Sequence, residues 1–180
     1  MKNQLANSEL GKVLRAEPDF SAAFTRKIEA LKGKLSIDLR MPVQHDADMN
    51  YSSSQKLIVN FDANGEAVPP SSPESKFRLF VYVSSKGPYF GTKLFALRAI
   101  GGDHLEYGLP SPGDYLIEAK GQEGLPAKML DSISQINRWM QLQSYQLIDG
   151  EAAYELADGH DTELDGRPAT VFDVLFSEID

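Results

Sequence analysis

The chain has 180 residues, a net charge of −8, 42% hydrophobic and 24% charged residues, and no cysteine. These values are typical of a globular protein and predict a single α+β domain over residues 1–180. Without cysteine, disulfides, thiolate catalysis and cysteine-ligated zinc are excluded. No apolar run approaches ~18 residues and no apolar leader opens the sequence, so we expect a cytoplasmic protein without membrane contact.

The acidity is confined to the C-terminal segment. Residues 149–180 contain ten acidic residues and one basic residue, Arg167, so this segment carries −9 and the rest of the chain sums to +1. Such a field repels nucleic acid and favours cationic partners. The segment therefore indicates either a binding surface for a basic protein or a solvated surface that keeps the protein soluble.

Two helices are predicted at the start of the chain. Residues 8–17 form a short amphipathic helix that Pro18 stops, and a second helix begins at Asp19 and ends at Gly33. Strict alternation of apolar and polar residues then predicts a half-exposed strand over residues 34–41, with Leu35, Ile37, Leu39 and Met41 facing inward.

The most apolar stretch predicts the centre of a sheet. Residues 76–84 and 89–97 form a hairpin around a turn at 84–88, and the first of these strands is apolar on both faces, so it lies centrally. A further strand is predicted over residues 55–62, followed by a turn and a polar surface loop over 66–75.

The second half of the chain supplies the longest helix, whose buried stripe is predicted to be Met129, Ile133, Ile136 and Met140. It begins at Pro126 and ends near residue 143, before a short strand at 145–148; in the alternative, it continues to Gly150. Strands are also predicted over residues 114–120 and 170–176. The fold prediction is a mainly antiparallel sheet of about six strands with two N-terminal helices and this long helix packed on it.

One motif resembles the opening of a calcium-binding loop. Residues 161–166 read Asp-Thr-Glu-Leu-Asp-Gly, with acids at the first, third and fifth positions and glycine at the sixth. An EF-hand loop also needs a bidentate glutamate at its twelfth position, which is Phe172 here. The motif therefore predicts a hairpin turn, since Asp-Gly favours the turns that join two strands.

Histidine and serine motifs give no complete site. His45 lies near Asp48 and His160 is followed by Asp161, but neither pair has a third ligand at a defined spacing, and His104 stands alone. All three histidines are predicted to lie in polar loops. The residues at 84–87, Ser-Ser-Lys-Gly, could hold an anion or a nucleophile, but phosphate-loop, dinucleotide and nucleophile-elbow motifs are absent, and a plain turn is favoured. No cofactor and no metal are predicted.

Three function classes follow. The first is a non-enzymatic interaction module of the immunity, or antitoxin-like, kind, which neutralises a basic partner such as a nuclease toxin. Its candidate partner-binding residues are Glu155, Asp158, Asp161, Glu163 and Asp165. The second is a small-molecule-binding or regulatory domain with a pocket between the sheet and the long helix. The third is an enzyme that uses carboxylates, with or without a metal, around His45 or His160.

Overall fold

The fold combines one large sheet with helices and a folded C-terminal segment. The computed structural model describes residues 8–49, 52–100, 103–108, 125–162 and 166–177. In these ranges a seven-stranded, mainly antiparallel sheet carries the two long helices on one face, and the first short helix and the C-terminal segment on the other; two further strands form a small separate sheet. The predicted α+β class is confirmed. The predicted strand at 114–120 lies outside the described residues.

The described α-helices are α1 (Glu9–Leu14), α2 (Ala22–Leu39), α3 (Ala127–Leu142) and α4 (Gly150–Tyr154). The strands are β1 (Gln44–Asp46), β2 (Ser54–Phe61), β3 (Ala67–Val68), β4 (Phe77–Ser84), β5 (Tyr89–Ile100), β6 (Asp103–Gly108), β7 (Gln146–Leu147), β8 (Leu156–Asp161) and β9 (Pro168–Thr170), and a π-helix (Asp173–Ser177) follows. Within the described ranges, no helix is long and apolar enough to cross a membrane.

The large sheet is built around β4. Its main order is β1-β2-β4-β5-β6, with the two-residue strands β3 and β7 added to β2 and β5. Every pairing is antiparallel except that of β7 with the start of β5. The central position predicted for β4 is confirmed, because this strand is paired on both sides and its side chains are covered on both faces.

The first core lies between the sheet and the helices α2 and α3. Leu79, Val81 and Val83 of β4 point into it and are fully buried. The predicted stripe of α3 faces them, with its four members at 0% exposure: Met129, Ile133, Ile136 and Met140. The apolar spacing of three and four residues thus identified the buried side of α3 correctly.

The second core lies on the opposite face of the sheet, under the C-terminal segment. Tyr82 of β4 points into it and packs edge-on against Phe172, with ring centroids 5.6 Å apart. Phe172 and Phe176 lie about one helical turn apart, and their rings pack together with centroids 4.8 Å apart. They approach the backbone of β5 at Gly91, where an added Cβ would lie 2.7 Å from the Phe172 ring.

The strand predicted over residues 34–41 is wrong, because α2 continues through Gly33 to Leu39. Leu35 is fully buried, whereas Ile37, predicted to face inward with it, is 76% exposed. Arg40, at φ 53°, ends the helix in a left-handed conformation. The predicted cap is also corrected: Ser21 caps α2, and Asp19 accepts a hydrogen bond from the Ser21 amide.

The strand predicted over residues 170–176 is wrong as well. Only Pro168–Thr170 is extended, and the chain then turns into the π-helix. The prediction that the three histidines lie in polar loops is also wrong. His45, His104 and His160 lie in the strands β1, β6 and β8. The open question about the long helix is decided, because α3 ends at Leu142 and the short strand β7 follows.

Candidate functional site

The acidic C-terminal segment exposes acids and apolar side chains on the same short stretch of chain. Tyr154 is 45% exposed and Leu156 is 54% exposed, although each is large and apolar. Exposed acids flank them on α4 and β8. We call this set the acidic hairpin surface: Glu151, Tyr154, Glu155, Leu156, Asp158 and Asp161. Three of the predicted partner-binding residues belong to it, whereas Glu163 and Asp165 lie outside the described residues.

Small side chains line the buried side of this hairpin. Ala153, Ala157 and Ala169 lie beneath it, at 0%, 4% and 2% exposure, and belong to the second core. Because these alanines occupy the buried side of the hairpin, the larger side chains next to them in the sequence lie on its outward side. The Val171 amide donates to the Glu155 carbonyl at 2.8 Å and fixes the start of the hairpin.

The strands on either side of the calcium-like motif form a hairpin, and residues 163–165 of the predicted turn lie outside the described residues. Strands β8 and β9 pair antiparallel from Leu156 opposite Thr170 to Asp161 opposite Pro168. The Gly166 amide donates to the Thr162 carbonyl at 2.9 Å, and Gly166 adopts a φ of +64°. This positive φ is a conformation that glycine adopts readily.

Asp173 is an acid of the segment that serves the fold rather than the surface. Its Oδ2 accepts hydrogen bonds from the Arg167 guanidinium at 2.8 Å and from the Thr170 hydroxyl and amide at 2.9 and 3.0 Å. The Asp173 amide donates back to the Thr170 hydroxyl, so the two residues form a reciprocal helix cap. Burial alone would raise the pKa of Asp173, but the hydrogen bonds from Arg167 and Thr170 outweigh it and hold the pKa below its usual value.

Three buried serines attach the C-terminal segment to the start of β2. The Ser53 hydroxyl donates to the Val174 carbonyl at 2.7 Å. The hydroxyls of Ser52 and Ser54 both donate to the Phe176 carbonyl, at 2.8 and 2.6 Å. Carbonyls at the end of a helical turn lack partners within the turn, and these serines satisfy two of them.

A small cavity lies between the hairpin and α1. Its volume is about 40 Å³, and it places Asp158 and His160 opposite Arg15. Such a volume has room for water but not for an organic ligand. His160 is half-buried here, so its position next to Asp161 in the sequence does not make the two residues an exposed pair.

His45 is bound by protein groups at both ring nitrogens. Nδ1 lies 2.7 Å from a carboxylate oxygen of Glu29, and Nε2 lies 2.8 Å from Gln55 Oε1. The Gln55 amide donates to the Thr25 hydroxyl at 2.8 Å, which leaves Oε1 as the group that faces the imidazole. His45 therefore joins α2 to β1 and β2, and its predicted neighbour Asp48 is not among these partners. Hydrogen bonds from Lys32 and His45 hold the pKa of Glu29 below its usual value.

The turn between β4 and β5 borders a larger cleft. The cleft has a volume of about 360 Å³ and lies between Ser84–Pro88 and the first turns of α2. The Ser85 hydroxyl donates to the Ser53 carbonyl at 2.8 Å, and the Lys86 ammonium donates to the Leu14 carbonyl at 3.0 Å. The turn is apparent from the sequence but the cleft is not, because the residues that face the turn lie some sixty positions earlier in the chain.

No group of three or more histidine, aspartate or glutamate side chains in the described ranges is placed to hold a metal ion. Comparison of the chain with protein-family models, with curated proteins and with solved structures found no match.

Proposed function

We propose that the protein is a non-enzymatic interaction module whose acidic hairpin surface binds a basic protein. One observation carries this proposal: Tyr154 and Leu156 are exposed in the middle of a run of exposed acids. Protein interfaces combine apolar anchors, often aromatic, with a charged rim that guides association and selects the partner. A surface of acids alone would equally suit solubility, but solubility does not require exposed large apolar side chains.

The charge of the segment indicates the chemistry of the partner. Residues 149–180 carry −9, and because Asp173 and Arg167 neutralise each other, the remaining nine acids still supply this charge. A basic surface is attracted over distances of about 8–10 Å at physiological salt. Nucleases bind polyanions and are often basic, so the proposal extends to an antitoxin-like protein that acts in the cytoplasm and covers the nucleic-acid site of a nuclease toxin. The same charge disfavours nucleic acid itself as a partner.

The environment of His45 supports a non-enzymatic reading. Both of its ring nitrogens lie against oxygen atoms of Glu29 and Gln55, and its side chain is only 6% exposed. A general base needs a ring nitrogen within reach of the substrate. Here the imidazole instead ties a helix to the edge of the sheet.

The experiment compares two triple variants in affinity purification from the native host at low salt. The test variant is Glu155→Gln, Asp158→Asn and Asp161→Asn, and the control neutralises three exposed acids elsewhere, by Glu17→Gln, Glu74→Gln and Asp131→Asn. We expect the wild-type protein and the control to retain a stoichiometric basic partner that is released as salt rises, and the test variant to lose it. Equal retention by the test variant, or no partner at all, contradicts the proposal. If the partner is a nuclease, adding the protein should inhibit its cleavage of nucleic acid.

A further inference from the structure

The cleft beside the β4–β5 turn has the dimensions of a small-molecule site. Its volume of about 360 Å³ falls in the range of roughly 300–1,000 Å³ that such sites occupy. Lys86 and Pro88 line it from the turn, and Phe24 and Lys27 line it from α2. Phe24 is buried and belongs to the first core, so one wall of the cleft is apolar and firmly packed.

Three donors in or beside this cleft have no acceptor among the described residues. Ser84 is 2% exposed; its oxygen accepts the Lys86 amide at 3.2 Å, but no described group accepts its proton. The Lys27 ammonium lies 5.5 Å from the centre of the Tyr145 ring and makes no hydrogen bond within the described ranges. The Tyr145 hydroxyl is buried, and it too lacks a partner there.

Tyr145 adjoins the cleft through its neighbours. Lys27, which lines the cleft, lies over its ring, and the amide of the next residue, Gln146, donates to the carbonyl of Pro88 at 2.8 Å. A buried hydroxyl without a partner carries a free-energy cost, and such a group calls for an explanation. An acceptor brought by a ligand would remove this cost.

The charges around the cleft favour an anion. Two ammonium groups, of Lys27 and Lys86, border it against one carboxylate, that of Asp19. The carboxylate accepts the Ser21 amide at 2.8 Å and also interacts electrostatically with Lys27, which leaves the second ammonium group uncompensated by it. The cleft is therefore locally positive in a chain whose net charge is −8.

We propose that this cleft binds a small molecule through an oxyanion group, a carboxylate or a phosphate. Lys27 forms the ion pair, the hydroxyls of Ser84 and Tyr145 donate hydrogen bonds to the anion, and the apolar part of the ligand packs against Phe24 and Pro88. Such a group matches the site because it offers several acceptors and a negative charge together. The site is separate from the acidic hairpin surface, so either proposal can fail without the other.

The experiment follows amide NMR signals while sodium phosphate, or sodium acetate in a second series, replaces sodium chloride at constant ionic strength. Binding at the cleft predicts saturable shifts that are confined to the 84–88 turn and the start of α2, and the anion that saturates identifies the preferred group. Absence of saturation with both anions overturns the proposal.

Variants separate this site from general attraction of anions. Lys27→Met should raise the Kd about tenfold or more, since hydrogen bonds to charged groups contribute about 1.5–3 kcal/mol. The control Lys128→Met, which removes an exposed lysine of α3 paired with Glu66, should leave the Kd unchanged. Equal effects of the two lysine variants would contradict the proposal.

Tyr145→Phe tests the buried hydroxyl directly while preserving the ring. We expect the free protein to be as stable as the wild type or more stable, because the variant removes a buried polar atom that lacks a partner. We expect anion binding to weaken at the same time. A Kd equal to that of the wild type in a folded Tyr145→Phe variant, together with an unaffected Ser84→Ala variant, would overturn the assignment of the donors and with it the proposal.

Discussion

The Ser53 hydroxyl donates a hydrogen bond to the Val174 carbonyl at 2.7 Å and so joins residues 121 positions apart in the sequence. Ser53 is fully buried, and the hydroxyls on either side of it bind the next turn of the same segment. The beginning of β2 and the end of the described chain are therefore a single hydrogen-bonded unit. Stability of the C-terminal segment depends on side chains from the first third of the protein.

Ser53→Ala should destabilise the protein by about 1–3 kcal/mol, because it leaves the buried Val174 carbonyl without its donor. The free energy of unfolding from urea titration measures this effect. The control is Ser71→Ala in the exposed loop before β4, which should change stability by less than about 0.5 kcal/mol. Equal stability of the two variants would show that water replaces the serine at this carbonyl.

Asp173→Asn should remove a pH-dependent part of the stability. The folded-state pKa of Asp173 is lowered, so the carboxylate stabilises the fold above the unfolded-state pKa of about 3.9, and this contribution is lost as the pH falls through the folded-state value. We therefore expect the difference in unfolding free energy between wild type and variant to be constant near neutral pH and to shrink below about pH 4. The matched control is Asp131→Asn, which removes an exposed carboxylate of α3. A difference that persists unchanged at low pH would contradict the assignment.

Two glycine-to-alanine substitutions should change stability in opposite directions. At Gly91 the new Cβ would lie 2.7 Å from the Phe172 ring and 2.9 Å from the Phe176 ring, so Gly91→Ala should destabilise the protein by about 1–3 kcal/mol. At Gly33, within α2, nothing lies within 4 Å of the added Cβ. Gly33→Ala should stabilise the protein by about 0.5–1 kcal/mol, because glycine is unfavourable inside a helix. Thermal unfolding of both variants checks the signs, and a stable Gly91→Ala would mean that the two rings can move apart.

The double variant Tyr154→Ser and Leu156→Ser should weaken binding of the proposed basic partner at least about tenfold, as expected for apolar anchors of an interface. Stability should change by less than about 0.5 kcal/mol per site, since both side chains are exposed. The matched control is Ile37→Ser and Leu142→Ser, which removes two apolar side chains that are 76% and 73% exposed on the helical face. The amount of partner retained by each double variant is compared at one salt concentration. If both variants lose the partner to the same extent, the hairpin has no specific role.

The centre of the fold was predictable because local pattern and burial agree there. In β4, alternate side chains point into two different cores, and both sets are apolar, so the sequence itself indicates a covered central strand. In α3, the spacing of Met129, Ile133, Ile136 and Met140 leaves only one buried side possible. Such elements need no knowledge of their distant partners.

The two wrong strands arise where alternation is also compatible with a helix. Leu31 and Leu35 continue the buried stripe of α2, and only the exposure of Ile37 reveals that alternation misleads here. In the last element, Phe172 and Phe176 are four residues apart, which suits a helical turn as well as a strand. The deciding contacts are the reciprocal cap of Thr170 and Asp173 and the distant serines, and sequence spacing does not show the latter.

The candidate site was predictable only in its charge. Acids are nearly always exposed, so the exposure of Glu155, Asp158 and Asp161 follows from residue type alone. Tyr154 and Leu156 were missed because large apolar residues are assigned to the core by default. Ala153 and Ala157 occupy the buried side of the hairpin in the second core, and Tyr154 and Leu156 lie on its other side.

The position of Phe172 and Phe176 over β5 has a consequence for synthesis of the chain. On the ribosome, residues emerge from the N-terminus onward, so every strand of the large sheet is made before the segment that covers its second face. Until residues 171–176 emerge, Tyr82 and Tyr89 have no cover from this segment, and the nascent protein presents a wide aromatic face to the cell. Chaperones that bind exposed aromatic surface would therefore have access to this face only for a limited time. That time ends when the helical turn at residues 173–177 binds the three serines.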